Sequence, residues 1–111
     1  MERTTRQTIE WEKVDEYTVN AHGASALFRV YAGVPDDRLR CIVSRNPGSG
    51  WHVSVSHADR YPTWDEVADA RYRFVPNRVT LAMLLPPREE FVNVHDTTLH
   101  LHEVPGDTPI E

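Results

Sequence analysis

The sequence predicts an α+β fold, in which an antiparallel or mixed sheet of four to five strands carries one main helix, at about residues 64–75, on one face. Apolar and polar residues alternate along 38–57, as they do in strands with one buried face. In 64–75 the apolar residues recur every three to four positions, which is the spacing of an amphipathic helix. The nearly unbroken apolar run 79–85 has the length of a strand that is covered on both faces.

The N-terminal third is the least clearly patterned part of the chain. Residues 1–15 are polar, and we expect them to be loosely held, although Trp11 and Val14 could anchor a strand or a short helix. From residue 17 to 31 the pattern is strand-like. Residues 33–37 have the composition of a turn.

A β-hairpin is the clearest local prediction. Its strands are 38–45 and 51–57, and the loop between them, 46–50, is made of residues that favour turns. Side chains two positions apart share a face of a strand, so the second strand has one face with apolar residues and one polar face. The first of these faces carries Trp51, Val53, Val55 and His57, and the second carries His52, Ser54 and Ser56.

The helix at 64–75 has start and stop signals. Thr63 is a good N-cap and Glu66 stands three residues later, which predicts a capping box. Asp65 and Glu66 lie in the first turn, where the helix dipole favours negative charge. Pro76 and the residue after it end the helix. The helical stripe contains Trp64, Val67, Ala68, Arg71 and Val75.

The C-terminal part supplies the last strands of a single domain that spans residues 1–111. The run 79–85 is one strand and 98–104 is the last, in which Leu99 and Leu101 face the same side. Residues 105–111 are expected to be a frayed tail. One helix covers one face of a sheet, so the other face must be solvated or covered by a partner.

Composition excludes several classes of protein. The chain of 111 residues has 40% hydrophobic and 26% charged residues, which is ordinary for a globular domain. Its net charge is −5 and the acidic excess lies in 51–111, which argues against nucleic-acid binding through phosphates. No apolar run approaches the ~20 residues of a membrane span. No signal peptide is visible, so we expect a cytoplasmic protein.

The single cysteine, Cys41, excludes an internal disulfide and is interpreted as a buried structural thiol. No motif indicates a cofactor.

A string of short motifs in the second half resembles a known family. It consists of WHVSVS at 51–56, RYPTWDE at 60–66, MLLPP at 83–87, FVNVH at 91–95 and LHL at 99–101. Over residues 51–102 the chain resembles a family of small uncharacterised proteins that is common in tailed phages and their actinobacterial hosts. The resemblance implies a source and a domain type, with the host cytoplasm as the location of a phage-encoded member, and it implies no reaction.

Two H-x-[ST] steps are the first candidate for chemistry. They pair His52 with Ser54 and His95 with Thr97. In two-histidine phosphoesterases, two such steps on neighbouring strands supply a base, an acid and the hydroxyls that hold a phosphate diester. This chain is too short for the usual two-lobed fold, and its second step contains an aspartate in what looks like a turn. The pattern is also easily met by chance among six histidines.

A metal site is the second candidate. His100 and His102 lie two residues apart on a predicted strand and therefore point the same way. His95, His52 or an acidic residue could complete a tetrahedral zinc site. No cysteine pair or HExxH pattern supports this, and a polar strand face explains the pair equally simply.

A binding surface is the third candidate. Aromatic residues beside arginines are typical of interaction hot spots, and equally of a small core with arginines that extend to solvent. The residues that would form such a surface are Arg60, Tyr61, Trp64 and Arg71. The leading hypothesis is an accessory protein that binds another protein or its own copy, as in a homodimer, and is not an enzyme. The rival is a small hydrolase that uses His52 and His95.

Overall fold

A computed structural model of the protein describes residues 9–48, 50–75, 85, 87, 88, 91, 97–101, 108 and 109. The described part forms a five-stranded antiparallel sheet in the order β1-β2-β3-β4-β5, with one helix packed against it, so the predicted α+β class is confirmed. The elements are β1 Glu10–Ala21, β2 Ala24–Val34, β3 Leu39–Asn46, β4 Gly50–His57, α1 Trp64–Phe74 and β5 Leu99–His100.

The strand-like segment 17–31 is divided by a tight turn that the sequence pattern did not reveal. His22 and Gly23 both have positive φ, 55° and 78°, and Ala21 pairs directly with Ala24. Two-residue hairpin turns of the I′ type need positive φ at both central residues. Strand β1 begins at Glu10, inside the segment 1–15 for which we expected a loose terminus.

The β3–β4 hairpin agrees with its predicted bounds to within one residue. Cys41 pairs with Val55 and Val43 pairs with Val53. Residues directly opposite each other share a face of the sheet, and these four side chains are 0 to 4% exposed. They form the centre of the core and lie under α1.

Helix α1 packs its apolar stripe on this core. Val67, Ala70 and Phe74 are fully buried. The Phe74 ring lies 4.5 Å from the Tyr31 ring and 6.2 Å from the Trp11 ring, measured between centroids, so it joins the helix to β1 and β2. Aromatic pairs at these separations contribute stability beyond their buried area.

The predicted capping box starts the helix. The Thr63 hydroxyl oxygen accepts a hydrogen bond from the amide N–H of Glu66 at 3.2 Å. The Glu66 carboxylate in turn accepts from the amide N–H of Thr63 at 2.9 Å. At the other end the N–H of Val75 donates to the carbonyl of Arg71 at 2.8 Å, so the helix ends at Phe74, one residue earlier than predicted.

Replacing Thr63 by alanine is expected to lower the free energy of unfolding by about 1 kcal/mol, because the first turn of α1 loses its side-chain acceptor. Urea denaturation followed by circular dichroism measures this loss. A Thr63→Ser variant keeps the hydroxyl and should retain most of the stability. Equal destabilisation by both replacements would show that the capping hydroxyl is not the cause.

The last described strand is short. Leu99 pairs with Val53 and His100 pairs with His52, and Leu99 and Leu101 both lie in the core, which confirms that they face the same side. The predicted strand residues 79–84 and 102–104 lie outside the described residues, and Leu85 lies in a bend. In the described part of the chain, no helix combines the length and apolar character that crossing a membrane requires.

Candidate functional site

The sheet has a core face, which α1 covers, and an opposite face, which we call the open face. Tyr31 packs on Phe74 and therefore marks the core face of β2. Alternation then places the even-numbered residues of β2, β3 and β4 on the open face. On β1 the bulge between Lys13 and Asp15 shifts the alternation, so that its open-face residues pair with even-numbered residues of β2.

The centre of the open face is apolar. Tyr17 and Phe28 pair across β1 and β2, and their rings stack at a centroid distance of 5.1 Å and an interplanar angle of 11°. Tyr17 is 42% exposed and Val19 is 47% exposed. Val30 pairs with Ile42 beside this stack, and both are half-buried. The apolar patch consists of Tyr17, Val19, Ala26, Phe28, Val30 and Ile42.

Polar residues flank the apolar patch, and their charge differs between its two sides. The side along β1 is acidic and carries Glu10, Glu12 and Asp15, all exposed. The side along β3, β4 and β5 carries Arg40 and two histidines, with hydroxyl groups between them. The open face therefore combines an apolar centre with one acidic side and one side that bears a cation.

The outer edge of β1 is protected against strand addition. Among the described residues, β1 pairs with β2 alone. Five charged side chains lie along the edge, two of which form the Lys13–Glu16 ion pair of 2.7 Å, and the bulge interrupts its regular spacing. Charges and bulges on an edge strand oppose pairing with another chain. The accessible apolar surface is thus the face of the sheet and not its edge.

The described residues include three of the four residues in the two H-x-[ST] steps. His52 and Ser54 lie on the open face of β4. The Thr97 hydroxyl is buried and bonded to the backbone of Val55: it accepts from the N–H at 2.9 Å and donates to the carbonyl at 2.5 Å. His95 lies outside the described residues, so the pairing of the two histidines stays a prediction.

His52 and His100 are brought together on the open face. They are directly opposite on β4 and β5, and their rings lie edge to face at 4.5 Å. His52 Nδ1 is also 3.4 Å from the side-chain amide of Asn46. Among the described residues no group of three or more potential metal ligands occurs. His102 lies outside them, so the His100–His102 site stays a prediction.

The predicted binding residues divide into an exposed and a buried group. Arg60 makes a two-pronged ion pair with Glu66, at 2.9 and 2.7 Å, and Tyr61 is 42% exposed beside it. The hydrogen bond from Arg60 holds the pKa of the Glu66 carboxyl below its usual value, and the bond from the Thr63 N–H acts in the same direction. The Trp64 ring lies 4.4 Å from the guanidinium of Arg88.

Arg71 lies apart from these residues, inside the protein. It is 7% exposed, and its Nη2 donates to the carbonyl of Thr97 at 2.9 Å. Burial lowers the pKa of Arg71. Burial likewise raises the pKa of the Cys41 thiol far above its usual value, as expected of a structural cysteine. Arg71 therefore links α1 to the segment before β5 through this hydrogen bond.

A histidine–aspartate contact was not predicted from the sequence. His57 Nε2 lies 2.9 Å from the Asp36 carboxylate, and His57 Nδ1 accepts from the amide N–H of Asp59 at 3.1 Å. The Nε2 atom therefore carries the ring proton and donates a hydrogen bond to the Asp36 carboxylate. This bond holds the pKa of the Asp36 carboxyl below its usual value, with help from the amide N–H of Arg38. Both ring nitrogens are occupied, so the contact joins the β2–β3 turn to β4.

The sequence predicted that one face of the sheet lies uncovered by the helix, but it did not show which residues lie on that face. Leu27 and Tyr31 alternate with Phe28 and Val30, so both faces of β2 are apolar. Only one of these faces can lie under a single helix. The faces became distinguishable when the register of β2 against β1 and β3 was known.

Comparison with known proteins gives one relationship. No curated protein and no solved structure matches the chain. A family described as Domain of unknown function (DUF7694) matches residues 42–106, which include β4, α1 and β5 and the second part of β3. This is more than half of the chain, and the protein therefore belongs to the DUF7694 family.

Proposed function

We propose that the protein acts by self-association, with the open face as the interface of a homodimer. The observation that carries the proposal is the apolar patch, in which the stacked Tyr17–Phe28 pair and Val19 remain accessible on a sheet face that α1 does not cover. Contiguous exposed apolar surface of this kind marks interaction sites in water-soluble domains. Aromatic residues at the centre of such a patch are typical hot spots.

A second copy is a better occupant than an unrelated protein because the open face is complementary to itself. Its acidic side along β1 and its cationic side along β3 flank the same apolar centre. Two such faces related by a twofold axis can place the acidic side of each copy against the cationic side of the other. Twofold dimers are also the commonest assemblies of identical chains.

The place of action belongs to the same proposal. The resemblance of residues 51–102 to proteins of tailed phages and actinobacteria supports an accessory role in a bacterial cytoplasm, which is the host's if the protein is phage-encoded.

Replacing Tyr17 by serine tests the interface. We expect the wild-type protein to sediment as a dimer at micromolar concentration, and the variant to dissociate at least about tenfold more readily, since removing a central aromatic costs about 2 kcal/mol at an interface hot spot. Sedimentation equilibrium over a range of concentrations measures the dissociation constant. Circular dichroism shows whether the fold is retained.

Tyr61→Ser is the matched control. Tyr61 is also a tyrosine and is also 42% exposed, but it lies in the segment before α1 and not on the open face. Its replacement should leave the dimer unchanged. A wild-type protein that stays monomeric at all concentrations, or a dimer weakened only by Tyr61→Ser, would contradict the proposal.

A further inference from the structure

Arg40 is an arginine on the open face, and one nitrogen of its guanidinium has no hydrogen-bond partner. It lies on β3, where it pairs with Ala32 of β2 and Ser56 of β4. Its Nη1 atom is buried and has no hydrogen-bond partner, whereas the residue as a whole is only half-buried and is therefore partly accessible to a second copy. Among the described residues no carboxylate lies within ion-pair distance of it. A buried donor of a charged group is costly when it is left unpaired, so its presence here needs a reason.

Glu12 is the complementary group and lies in the same row across the strands. It pairs with Ala32 from the β1 side, so Glu12, Ala32 and Arg40 stand side by side. Glu12 is exposed and makes no ion pair within the described part of the chain. Two strand spacings, about 9.6 Å, separate the backbones of the two charged residues. Within the part of the chain that the structure describes, each copy thus carries an anion and a cation without ion-pair partners on opposite sides of β2.

A twofold axis that runs along β2, in the plane between two open faces, brings these groups together. The rotation places β1 of each copy over β3 of the other and keeps every residue in its row. Glu12 then lies over Arg40 of the second copy. Facing sheets pack about 10 Å apart, which an extended arginine and an extended glutamate together can span. The same axis places Val30 and Phe28 over their own counterparts in the apolar centre.

We propose that Arg40 of one copy binds Glu12 of a second copy, and that these two reciprocal ion pairs set the register of the dimer. The inference rests on the proposed self-association and adds the residues that make it specific. Guanidinium–carboxylate pairs are strong and directional, particularly when two parallel N–H···O bonds form. Asp15 lies opposite Ile42 in this arrangement, and its carboxylate remains bonded to the amide N–H of Glu16 on its own strand.

Charge exchange between the two positions tests the register. Arg40→Glu and Glu12→Arg are each expected to raise the dissociation constant about a hundredfold, because like charges then face each other across the interface. Each single variant places like charges at both contacts of its own homodimer, whereas a mixture of the two single variants restores opposite charges in the heterodimer. The Glu12→Arg/Arg40→Glu double variant restores opposite charges at both contacts of its homodimer. We expect the double variant to dimerise within about tenfold of the wild-type protein.

The control and the alternative outcomes keep this inference separate from the proposed function. Arg45→Glu changes the same charge on the core-face side of β3 and should leave the dimer intact. If Arg40→Glu unfolds the protein, Arg40→Gln serves in its place. Suppose that the wild-type protein is a dimer and that Tyr17→Ser weakens it. The Arg40–Glu12 contact alone is then overturned if neither single charge variant changes the dissociation constant, or if the double variant does not restore it. A monomeric wild-type protein overturns both.

Discussion

Replacing Phe74 by alanine is expected to lower the free energy of unfolding by about 4 kcal/mol, because the truncation leaves a large cavity in the core. Phe74 is fully buried, and its ring contacts those of Tyr31 and Trp11. The Arg73 guanidinium also lies 4.8 Å from the ring centroid. The cavity left by the truncation would remove the contacts of α1 with both β1 and β2. Urea denaturation monitored by tryptophan fluorescence and circular dichroism measures the loss.

Phe74→Leu and Tyr61→Ala provide the comparison for this prediction. Leucine fills much of the cavity, so Phe74→Leu should cost clearly less than Phe74→Ala. Tyr61 is exposed, and its truncation should stay within about 0.5 kcal/mol of the wild-type stability. A loss below about 1 kcal/mol for Phe74→Ala would contradict the packing of α1 on the sheet described above.

Replacing Thr97 by valine is expected to destabilise the fold by about 3 kcal/mol, although the two side chains have nearly the same shape. The Thr97 hydroxyl serves both the N–H and the carbonyl of Val55, and all three groups are buried. Valine leaves two backbone groups of β4 without partners, and each such group costs about 1 to 3 kcal/mol. Equilibrium denaturation gives the total, and exchange of the Val55 amide hydrogen reports the site directly.

Thr97→Ser separates the hydroxyl from the methyl group. Serine keeps both hydrogen bonds, so it should retain protection of the Val55 amide and lose only the small contribution of the methyl. If valine were as stable as threonine, the hydroxyl would not be needed by the sheet. It would then be available for another role, such as the phosphate contact that the H-x-[ST] pattern suggested.

Local signals predicted the central part of the fold. The β3–β4 hairpin and α1 depend on residues that are close in the sequence: a turn-forming loop, two alternating segments, and a capping box at Thr63 and Glu66. Each of these signals acts within about ten residues, so a single sequence is enough to show it. The same is true of the segment 17–31, where the His22–Gly23 turn was overlooked although glycine between alternating segments is its usual sign.

Contacts between residues that are far apart in the sequence could not be predicted from local patterns. The helical spacing placed Arg71 in the apolar stripe of α1, but it could not show that the guanidinium reaches the carbonyl of Thr97, twenty-six residues away. Asp36 and His57 are twenty-one residues apart and meet because the β3–β4 hairpin returns the chain to the β2–β3 turn. The open face needed the same kind of information, since the register of three strands decides which apolar residues α1 covers.

The protected edge of β1 has a consequence for how many copies can assemble. Joining strands at an edge leaves a new edge at each end, so that mode of contact continues without limit and produces fibres. The acidic residues and the bulge on β1 obstruct it. When two copies pack their open faces together, both faces are buried, and neither is accessible to a third copy. The arrangement of charge along one strand therefore favours a closed pair over an extended polymer.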